Sequence, residues 1–244
     1  MMSFSAVPNS NISLGRVAFN CDGRLDAGRG RRIPEPLPSR SHMLVLSGRP
    51  GCGKTSVMVA LLARRGRLFN RMFQWVLYVS PSGSSLRDDP FASLPEGQRW
   101  TELSPETVAE IDVTIETIPT EDSILLILDD CLSALKVAPI QKTLLRWAAN
   151  RRHLHLSIWL TSQVWNRIPR AVRVVASHLV LFPTTNRTEL KTIQDEVGIM
   201  DPTAFAELMR WCFSFGPHSF VFIDLIRPRV YRRFDKIRIE GVPE

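Results

Sequence analysis

The most informative run in this chain is Met43-Leu44-Val45-Leu46-Ser47-Gly48-Arg49-Pro50-Gly51-Cys52-Gly53-Lys54-Thr55. Its first four residues are apolar and have the composition of a short buried strand. The glycine-rich turn that follows fits the pattern G-x-x-x-x-G-K-[ST]. Residues 55–65 then have a helical composition. A strand, a glycine-rich turn and a helix in this order are the context in which the pattern binds phosphate.

This turn, called the phosphate loop below (residues 48–55), predicts a nucleotide site. Its glycines let successive N–H groups point at phosphate oxygens, and the following helix directs its positive end at the same anion. Lys54 would reach the β- and γ-phosphates, and the Thr55 hydroxyl would coordinate Mg²⁺. We therefore expect ATP and Mg²⁺ as ligands, with a glycine turn that binds nothing as the alternative. The expected nucleotide-binding residues are Gly48, Arg49, Pro50, Gly51, Cys52, Gly53, Lys54, Thr55 and Ser56.

Two carboxylates follow a second apolar run, Ile124–Leu128. An acidic residue at the carboxyl end of a buried strand beside a phosphate loop is placed to hold the Mg²⁺ shell, and we assign this role to Asp129. Asp130 points the other way and could orient or deprotonate the water that attacks the γ-phosphate. The alternative for Asp130 is a helix N-cap for the segment after Cys131.

Apolar strands alternate with helices along most of the chain. This alternation predicts an α/β phosphate-loop fold, in which helices flank a RecA-like, mainly parallel central sheet and a short strand pair follows at the C-terminus. The predicted strands are residues 43–46, 73–79, 124–128, 156–160 and 178–182, and the terminal pair is 220–224 and 230–234. The predicted helices are residues 55–65, 140–150, 188–197 and 202–211, and residues 84–108 are expected to be loop with one short helix.

The chain divides into an N-terminal arm and one larger domain. Residues 1–41 are rich in Ser, Asn, Gly, Pro and Arg and end in alternating prolines, which favour an extended path. We expect this arm either to be extended, lying on a neighbouring subunit, or to be disordered. Residues 42–244 would form the phosphate-loop domain, with its core motifs in residues 43–182 and its C-terminal helices and basic strand pair in residues 186–239.

Gln163 follows the predicted strand at residues 156–160. If this strand lies between the strands at 43–46 and 124–128, the Gln163 amide projects toward the γ-phosphate. A neutral amide at that place can sense whether the phosphate is present. The alternative is an ordinary loop glutamine.

Arginines near the same strand are candidates for a catalytic cation. Arg152 stands just before the strand and could stabilise transition-state charge in the site of a neighbouring subunit. Arg151 and Arg173 are the other candidates for this role. For each arginine the alternative is a plain surface charge.

The composition narrows the classes of function. A formal net charge of +7 suits a polyanionic partner such as nucleic acid, although a solubilising surface is the alternative. The four cysteines include no C-x-x-C pair, so a zinc ribbon or a disulfide framework is not expected, and no apolar run approaches the roughly 18 residues of a membrane span. The sequence contains no Asn-Lys-x-Asp stretch, which GTPases need to bind their base, so a GTPase is not expected. Basic residues near the C-terminus could line a DNA channel or solvate an edge strand: Arg227, Arg229, Arg232, Arg233, Lys236 and Arg238.

Three features together resemble one family of proteins. They are the phosphate loop, the apolar strand that ends in Asp129-Asp130, and the run Arg152-His153-Leu154-His155-Leu156-Ser157-Ile158-Trp159-Leu160-Thr161-Ser162-Gln163 with Pro169 and Arg173 downstream. The family is that of the genome-packaging ATPases of large DNA viruses (poxvirus-type) and their relatives, within the FtsK–HerA superfamily. The resemblance covers about residues 43–182.

This resemblance implies an ATP-hydrolysing motor, usually a ring, that threads double-stranded DNA into a preformed capsid. By the same resemblance, Lys54 and Thr55 would bind phosphate and metal, and Asp129 would bind the metal. Asp130 would activate water and Gln163 would sense the γ-phosphate. Arg152 would be the catalytic arginine. Cys52 departs from the small polar residue often found in the loop, and Val174 stands where an Asn often follows the downstream arginine.

The resemblance also implies partners and a location. We expect a hexameric or pentameric ring of this chain, double-stranded DNA and viral capsid proteins as partners, and a location inside the host cell at viral assembly sites and in the virion. Two other functions remain open at this point: a helicase or replication ATPase that acts on single strands, and a scaffold that binds ATP to assemble. DNA-stimulated turnover would separate the motor from the scaffold, and duplex preference without strand separation would separate it from the helicase.

Overall fold

The computed structural model describes residues 4–12, 33–38, 41–62, 68–69, 72–81, 90–198 and 200–239. The strands are β1 (Phe4–Val7), β2 (Met43–Ser47), β3 (Trp75–Val79), β4 (Arg99–Trp100), β5 (Ile124–Leu128), β6 (Leu156–Ser162), β7 (His178–Leu181), β8 (Val221–Asp224), β9 (Arg229–Arg232) and β10 (Asp235–Ile239). The α-helices are α1 (Lys54–Leu62), α2 (Pro105–Thr117), α3 (Ala138–Asn150), α4 (Arg170–Val175), α5 (Arg187–Val197) and α6 (Pro202–Phe213).

The strands form one ten-stranded sheet in the order β1-β10-β9-β8-β7-β2-β6-β5-β3-β4. The six strands from β7 to β4 run parallel. Strands β2, β5 and β6 are buried along their whole length, as expected for parallel strands that helices cover on both faces. The prediction of a mainly parallel sheet flanked by helices is confirmed.

The place of β6 in the sheet decides where its loop lies. β6 pairs with β2 on one side, where Leu160 is opposite Val45, and with β5 on the other, where Leu160 is opposite Leu128. The strand therefore lies between the two strands that carry the phosphate loop and Asp129. The carboxyl ends of all three meet at one edge of the sheet, which we call the carboxyl edge.

Alternate residues of each strand supply two separate cores. Leu44 and Leu46 face the side covered by α1, together with Phe69 and Phe73. Met43 and the other residues that alternate with Leu44 and Leu46 face the side where helices α2 to α6 pack. Because the two cores fix both faces, the register of the central strands cannot slip by one residue without exchanging them.

The C-terminal part of the sheet is larger than the predicted strand pair. β8 pairs antiparallel with β7, and β9, β10 and β1 continue the antiparallel pattern outward. The predicted pair corresponds to β8 and β9. The sequence did not indicate β10 because charged residues interrupt its apolar pattern: Asp235, Lys236 and Arg238.

β1 shows that part of the predicted N-terminal arm belongs to the chain's own sheet. Phe4 lies opposite Ile239 and Val7 lies opposite Lys236, so Phe4–Val7 is extended but belongs to the chain's own sheet. The Asn9 N–H also donates to Asp235 Oδ1 at 2.9 Å. Backbone pairing with β10 thus explains why these residues do not form a separate arm. Residues 1–3, 13–32 and 39–40 of the predicted arm lie outside the described residues.

Helix α2 begins at the end of the segment predicted as loop with one short helix (residues 84–108) and extends beyond it, through residues for which no element was predicted. Ser104 caps the helix, because its hydroxyl accepts a hydrogen bond from the Thr107 N–H at 3.1 Å, and Pro105 occupies the first turn. Ile111 and Ile115 pack into the core on the α2–α6 side. Within the part of the chain that the structure describes, no helix is both long enough and apolar enough to cross a membrane.

Candidate active site

The phosphate loop joins β2 to α1 at the carboxyl edge. Gly51 and Gly53 have φ angles of 74° and 107°, which favour glycine. A Cβ on Gly48 would lie 2.6 Å from the Phe182 Cβ and 2.7 Å from the Cys52 Sγ. The pattern's first glycine is therefore required by close packing, and the later ones by the turn itself.

Lys54 is the first residue of α1, and its side chain folds back over the loop. Its Nζ donates to the Gly48 carbonyl at 2.6 Å and to the Arg49 carbonyl at 3.1 Å. Thr55 and Ser56 follow in the first turn of the helix, where backbone N–H groups have no partner within the helix. The Lys54 ammonium and the N-terminus of α1 thus both lie at the phosphate loop, a combination that is suited to an anion.

Asp129 stands directly after β5 and is 6% exposed. Its Oδ1 accepts from the Thr161 hydroxyl at 2.6 Å, and its Oδ2 accepts from the Tyr78 hydroxyl at 3.4 Å. Burial raises the pKa of the Asp129 carboxyl, and the hydrogen bond from Thr161 partly opposes this. Each carboxylate oxygen keeps a lone pair, and oxygen ligands are those that Mg²⁺ prefers, so Asp129 and Thr55 fit the predicted ion.

Asp130 is exposed and lies next to Gln163. The Gln163 Nε2 donates to Asp130 Oδ1 at 3.3 Å, and the Asp130 N–H donates to the Thr161 hydroxyl at 2.9 Å. The φ angle of Asp130 is 57°, in the left-handed region. The nearest helical turn along the chain, Ala134–Lys136, is flanked at its N-terminus by Ser133, so the geometry does not show the capping alternative for Asp130.

Arg152 lies far from this cluster within its own chain. It is exposed in the turn before β6, whereas Gln163 follows the other end of the strand. β6 has seven residues, which span about 20 Å at the usual rise per residue. Arg152 therefore cannot reach the phosphate loop of its own subunit.

The two alternative arginines are engaged in structural contacts. Arg151 donates to the carbonyls of Ser41 and Ala148. Arg173 forms a two-point contact with Glu196, in which Nε and Nη2 lie 3.0 and 2.6 Å from Oε1. Neither guanidinium can contact a neighbouring molecule without breaking these hydrogen bonds.

A pocket of about 140 Å³ opens beside the phosphate loop. Glu189 of α5 is 3% exposed and lines this pocket with Gln163. On the other side of the loop, His218 Nδ1 lies 3.1 Å from the Cys52 carbonyl oxygen. Among the described residues, those that line the pocket are Gly48, Arg49, Gln163, Val164, Leu181, Phe182, Pro183, Thr184, Asn186 and Glu189.

Several residues of this site were not assigned from the sequence. Thr161 could have been found, because a polar residue inside an apolar strand must have a partner when it is buried. Tyr78 carries a weaker signal of the same kind. Glu189 and His218 come from distant segments, and their place at the site follows only from the tertiary fold.

Comparison with known proteins gives a result for structure alone. No protein-family model matches the chain, and no curated protein sequence matches it. The genome packaging NTPase B204 from Sulfolobus turreted icosahedral virus 2, in complex with AMP, superimposes with a TM-score of 0.56 at 16% identity, over 78% of this chain and 95% of that chain.

Two bacterial ATPases have a similar fold. EssC (ATPases 2 and 3) from Geobacillus thermodenitrificans gives a TM-score of 0.54 at 13% identity, over 84% of this chain and 40% of that chain. The cytoplasmic domain of the Type VII secretion ATPase EccC from Thermomonospora curvata gives 0.51 at 14% identity, over 83% and 26%. At these identities the likeness concerns the fold, and at that level it confirms the resemblance drawn from the motifs. The chain has the phosphate-loop ATPase fold that a viral genome-packaging NTPase shares with these two ATPases.

Proposed function

We propose that this chain hydrolyses ATP and uses the energy to move double-stranded DNA, packaging a viral genome into a preformed capsid. The observation that carries the ATPase part is the convergence of Lys54, Asp129, Asp130 and Gln163 at the carboxyl edge. These four groups come from three strands that are neighbours only in the folded sheet.

Each residue has a distinct task in the proposed reaction. Lys54 would exchange its loop carbonyls for the β- and γ-phosphates. Thr55 and Asp129 would hold Mg²⁺, which supplies charge neutralisation of the phosphates when bound. Asp130 would orient and deprotonate the attacking water, and Gln163, in contact with Asp130, would sense the γ-phosphate.

The register of the antiparallel strands supports a DNA-binding surface. Residues directly opposite each other in an antiparallel pair point to the same face. Lys236 lies opposite Tyr231, and Arg229 and Arg238 are in phase with these two residues. Three exposed cations therefore share one face of β9 and β10, which we call the basic face (Arg229, Lys236 and Arg238).

Not every predicted basic residue belongs to this surface. Arg232 points to the opposite face, where its guanidinium stacks 4.3 Å from the Phe215 ring centroid and lies 3.4 Å from Asp235 Oδ2. We assign Arg232 a packing role and the basic face the DNA contact, since exposed cations in a row can neutralise successive phosphates.

A ring supplies the catalytic arginine in this proposal. Arg152 is exposed and lies at the opposite end of β6 from its own site, so it would act on ATP bound by the adjacent subunit. Capsid proteins would hold the ring at the portal through which DNA enters. The protein would accordingly be found at viral assembly sites in the host cell and with the virion.

One experiment separates the proposed motor from its alternatives. ATP turnover of the purified chain is measured alone, with duplex DNA and with single-stranded DNA of equal length. We expect duplex DNA to stimulate turnover most, without strand separation. Stimulation by single strands with unwinding would indicate the helicase instead. Slow turnover that neither DNA changes would indicate the scaffold.

A further inference from the structure

Glu189 is a buried carboxylate to which the proposed reaction assigns no task. It stands in the first turn of α5, where its own N–H donates to the capping side chain of Asn186 at 3.2 Å. A carboxylate that is 3% exposed must have its oxygens hydrogen-bonded, because desolvation would otherwise be too costly. The partners of Glu189 therefore reveal what it holds in place.

Three separate segments donate to this carboxylate. Oε1 accepts from the Trp165 N–H at 2.6 Å and from the Ser47 hydroxyl at 3.3 Å. Oε2 accepts from the Thr184 hydroxyl at 2.7 Å. Ser47 ends β2 directly before the phosphate loop, Trp165 follows the β6 loop, and Thr184 follows β7. One side chain thus joins the carboxyl ends of three neighbouring parallel strands.

The turn that carries Gln163 is held between two anchors. At its start, the Ser162 hydroxyl donates to the Val164 carbonyl at 2.8 Å and accepts from the Val164 N–H at 3.1 Å. At its end, the Trp165 N–H is bound by Glu189. Gln163 lies between these anchors and shares its pocket with Glu189.

We propose that Glu189 is a positioning residue for ATP hydrolysis, which fixes the turn carrying Gln163 at a set distance from the phosphate loop. This inference rests on the proposed function. Without the carboxylate, the buried Trp165 N–H would lack its acceptor, and the turn would shift to find another. A displacement of about 1 Å in a reacting geometry costs on the order of 100-fold in rate. The hydrogen bonds of Glu189 go to Ser47, Trp165 and Thr184 and not to the carbonyls that Lys54 contacts, so we expect nucleotide affinity to change much less than kcat.

The test compares Glu189→Ala, Glu189→Gln and a control, Glu196→Ala. Glu196 lies on the same helix and also binds Trp165, but through the indole Nε1 at 2.8 Å rather than through the backbone. For each variant we measure kcat, KM, the dissociation constant of a fluorescent ATP analogue and the melting temperature.

We expect Glu189→Ala to lose about 100-fold in kcat with little change in nucleotide affinity. Glu189→Gln should keep most of the parental kcat, because its amide oxygen can still accept from Trp165 and Ser47. Glu196→Ala should lower the melting temperature while kcat stays near the parental value. Parental kcat in Glu189→Ala, or an equal loss in Glu189→Gln, would overturn the proposal.

A second measurement distinguishes failure of this inference from failure of the proposed function. A parental chain that binds ATP but does not hydrolyse it would contradict the ATPase assignment. The role of Glu189 is then decided by amide hydrogen exchange at residues 163–165 with the ATP analogue bound. Faster exchange in Glu189→Ala than in the parent and in Glu189→Gln supports the anchoring role, and equal rates in all three overturn it.

Discussion

The two edges of the parallel sheet differ in one respect, because the carboxyl edge carries an exposed acid in addition to its buried polar groups. At the carboxyl edge, Asp130 is exposed and shares one hydrogen bond with Gln163. At the amino edge, where the same strands begin, polar groups are buried and bound to one another. The Trp159 indole donates to His42 Nε2 at 2.8 Å, and His42 Nδ1 lies 3.3 Å from the Ser157 hydroxyl.

This difference shows which edge can carry chemistry. At the amino edge His42, Ser157 and Trp159 are buried and bound to one another, so a ligand could reach them only at the cost of those partners. The buried Asp129, by contrast, lies at the edge that carries the phosphate loop and keeps free lone pairs. The buried groups of the amino edge are therefore structural, and Arg152 is one of the exposed exceptions. Because about 20 Å of strand separates Arg152 from its own phosphate loop, any role of Arg152 in ATP hydrolysis would be at the site of another molecule.

The largest expected effect tests that exception. Arg152→Ala should reduce ATP turnover by about 1,000-fold while ATP still binds, because a catalytic arginine stabilises charge in the transition state. Mixing Arg152→Ala subunits with Lys54→Ala subunits should restore part of the turnover, which is measured as steady-state phosphate release. Some interfaces would then pair an intact phosphate loop with an intact arginine.

Two results would break the comparison at Arg152. A mixture that is no more active than either variant alone would argue against a shared site. Full activity of Arg152→Ala by itself would make Arg152 a surface charge. Arg173→Ala is the matched control, and we expect it to lose thermal stability, since its ion pair with Glu196 would be broken.

The carboxyl edge is tested by separating binding from hydrolysis. Asp130→Asn should lose about 100-fold in kcat and keep its affinity for ATP, because the amide cannot accept the proton of the attacking water. Lys54→Ala should instead raise the dissociation constant for ATP by at least about tenfold, through loss of charged hydrogen bonds to phosphate. Equilibrium binding and turnover are measured on both variants. Parental turnover in Asp130→Asn would remove Asp130 from the reaction.

Substitutions at the antiparallel end of the sheet should have a smaller effect, which is seen in the salt dependence of DNA binding. Replacing Arg229 and Lys236 together with Ser should reduce the slope of log K against log salt for duplex DNA by about 2, one unit for each lost phosphate contact. Arg232→Ser serves as the control. It should lower stability through lost packing on Phe215 and leave the slope unchanged. An unchanged slope in the double variant would place the DNA contact elsewhere.

The last expected effect concerns stability rather than activity, and it tests the amino edge through pH. Burial, followed by the charge of Arg151, lowers the pKa of His178 to about 4, although Asp224 Oδ1 lies 3.9 Å from its Nε2. Between pH 6.5 and 4 the unfolded chain therefore binds a proton that the folded chain does not. The free energy of unfolding should fall by up to about 3 kcal/mol as the pH drops through this window.

Denaturant titrations between pH 4 and 7 measure this effect. In His178→Phe, which keeps a ring against Phe222 but cannot titrate, the fall should be smaller by that amount. An equal fall in His178→Phe and the parent would show that His178 titrates alike in both states.

The central fold and the nucleotide loop were predictable because each leaves a local pattern. Strands buried on both faces are continuous apolar runs, so β2 and β5 stand out in the sequence. The glycines of the phosphate loop mark their own backbone requirements. α2 also left a local signal, Ser104 followed by Pro105, although it was outweighed by the polar residues before it.

Contacts between distant segments left no such signal. β1 pairs with β10 although most of the sequence lies between them, and nothing in Phe4–Val7 specifies that partner. Glu189 reads as an ordinary residue of an amphipathic helix, and only the tertiary fold buries it against Trp165. The site's roles could be proposed from motifs, whereas the groups that hold those motifs in place could not.

The backbone of Asp130 restricts which acid can evolve at this position. Its φ angle of 57° lies in a region where Asp and Asn are enriched several-fold over most other residues. An Asp130→Asn step therefore changes the charge and leaves the turn undisturbed. In Asp130→Glu, a longer residue that is less suited to this φ region would have to keep the same backbone conformation. A lineage that needed a longer reach at this place would have to remodel the turn first, so the local conformation itself acts as a filter on catalytic change.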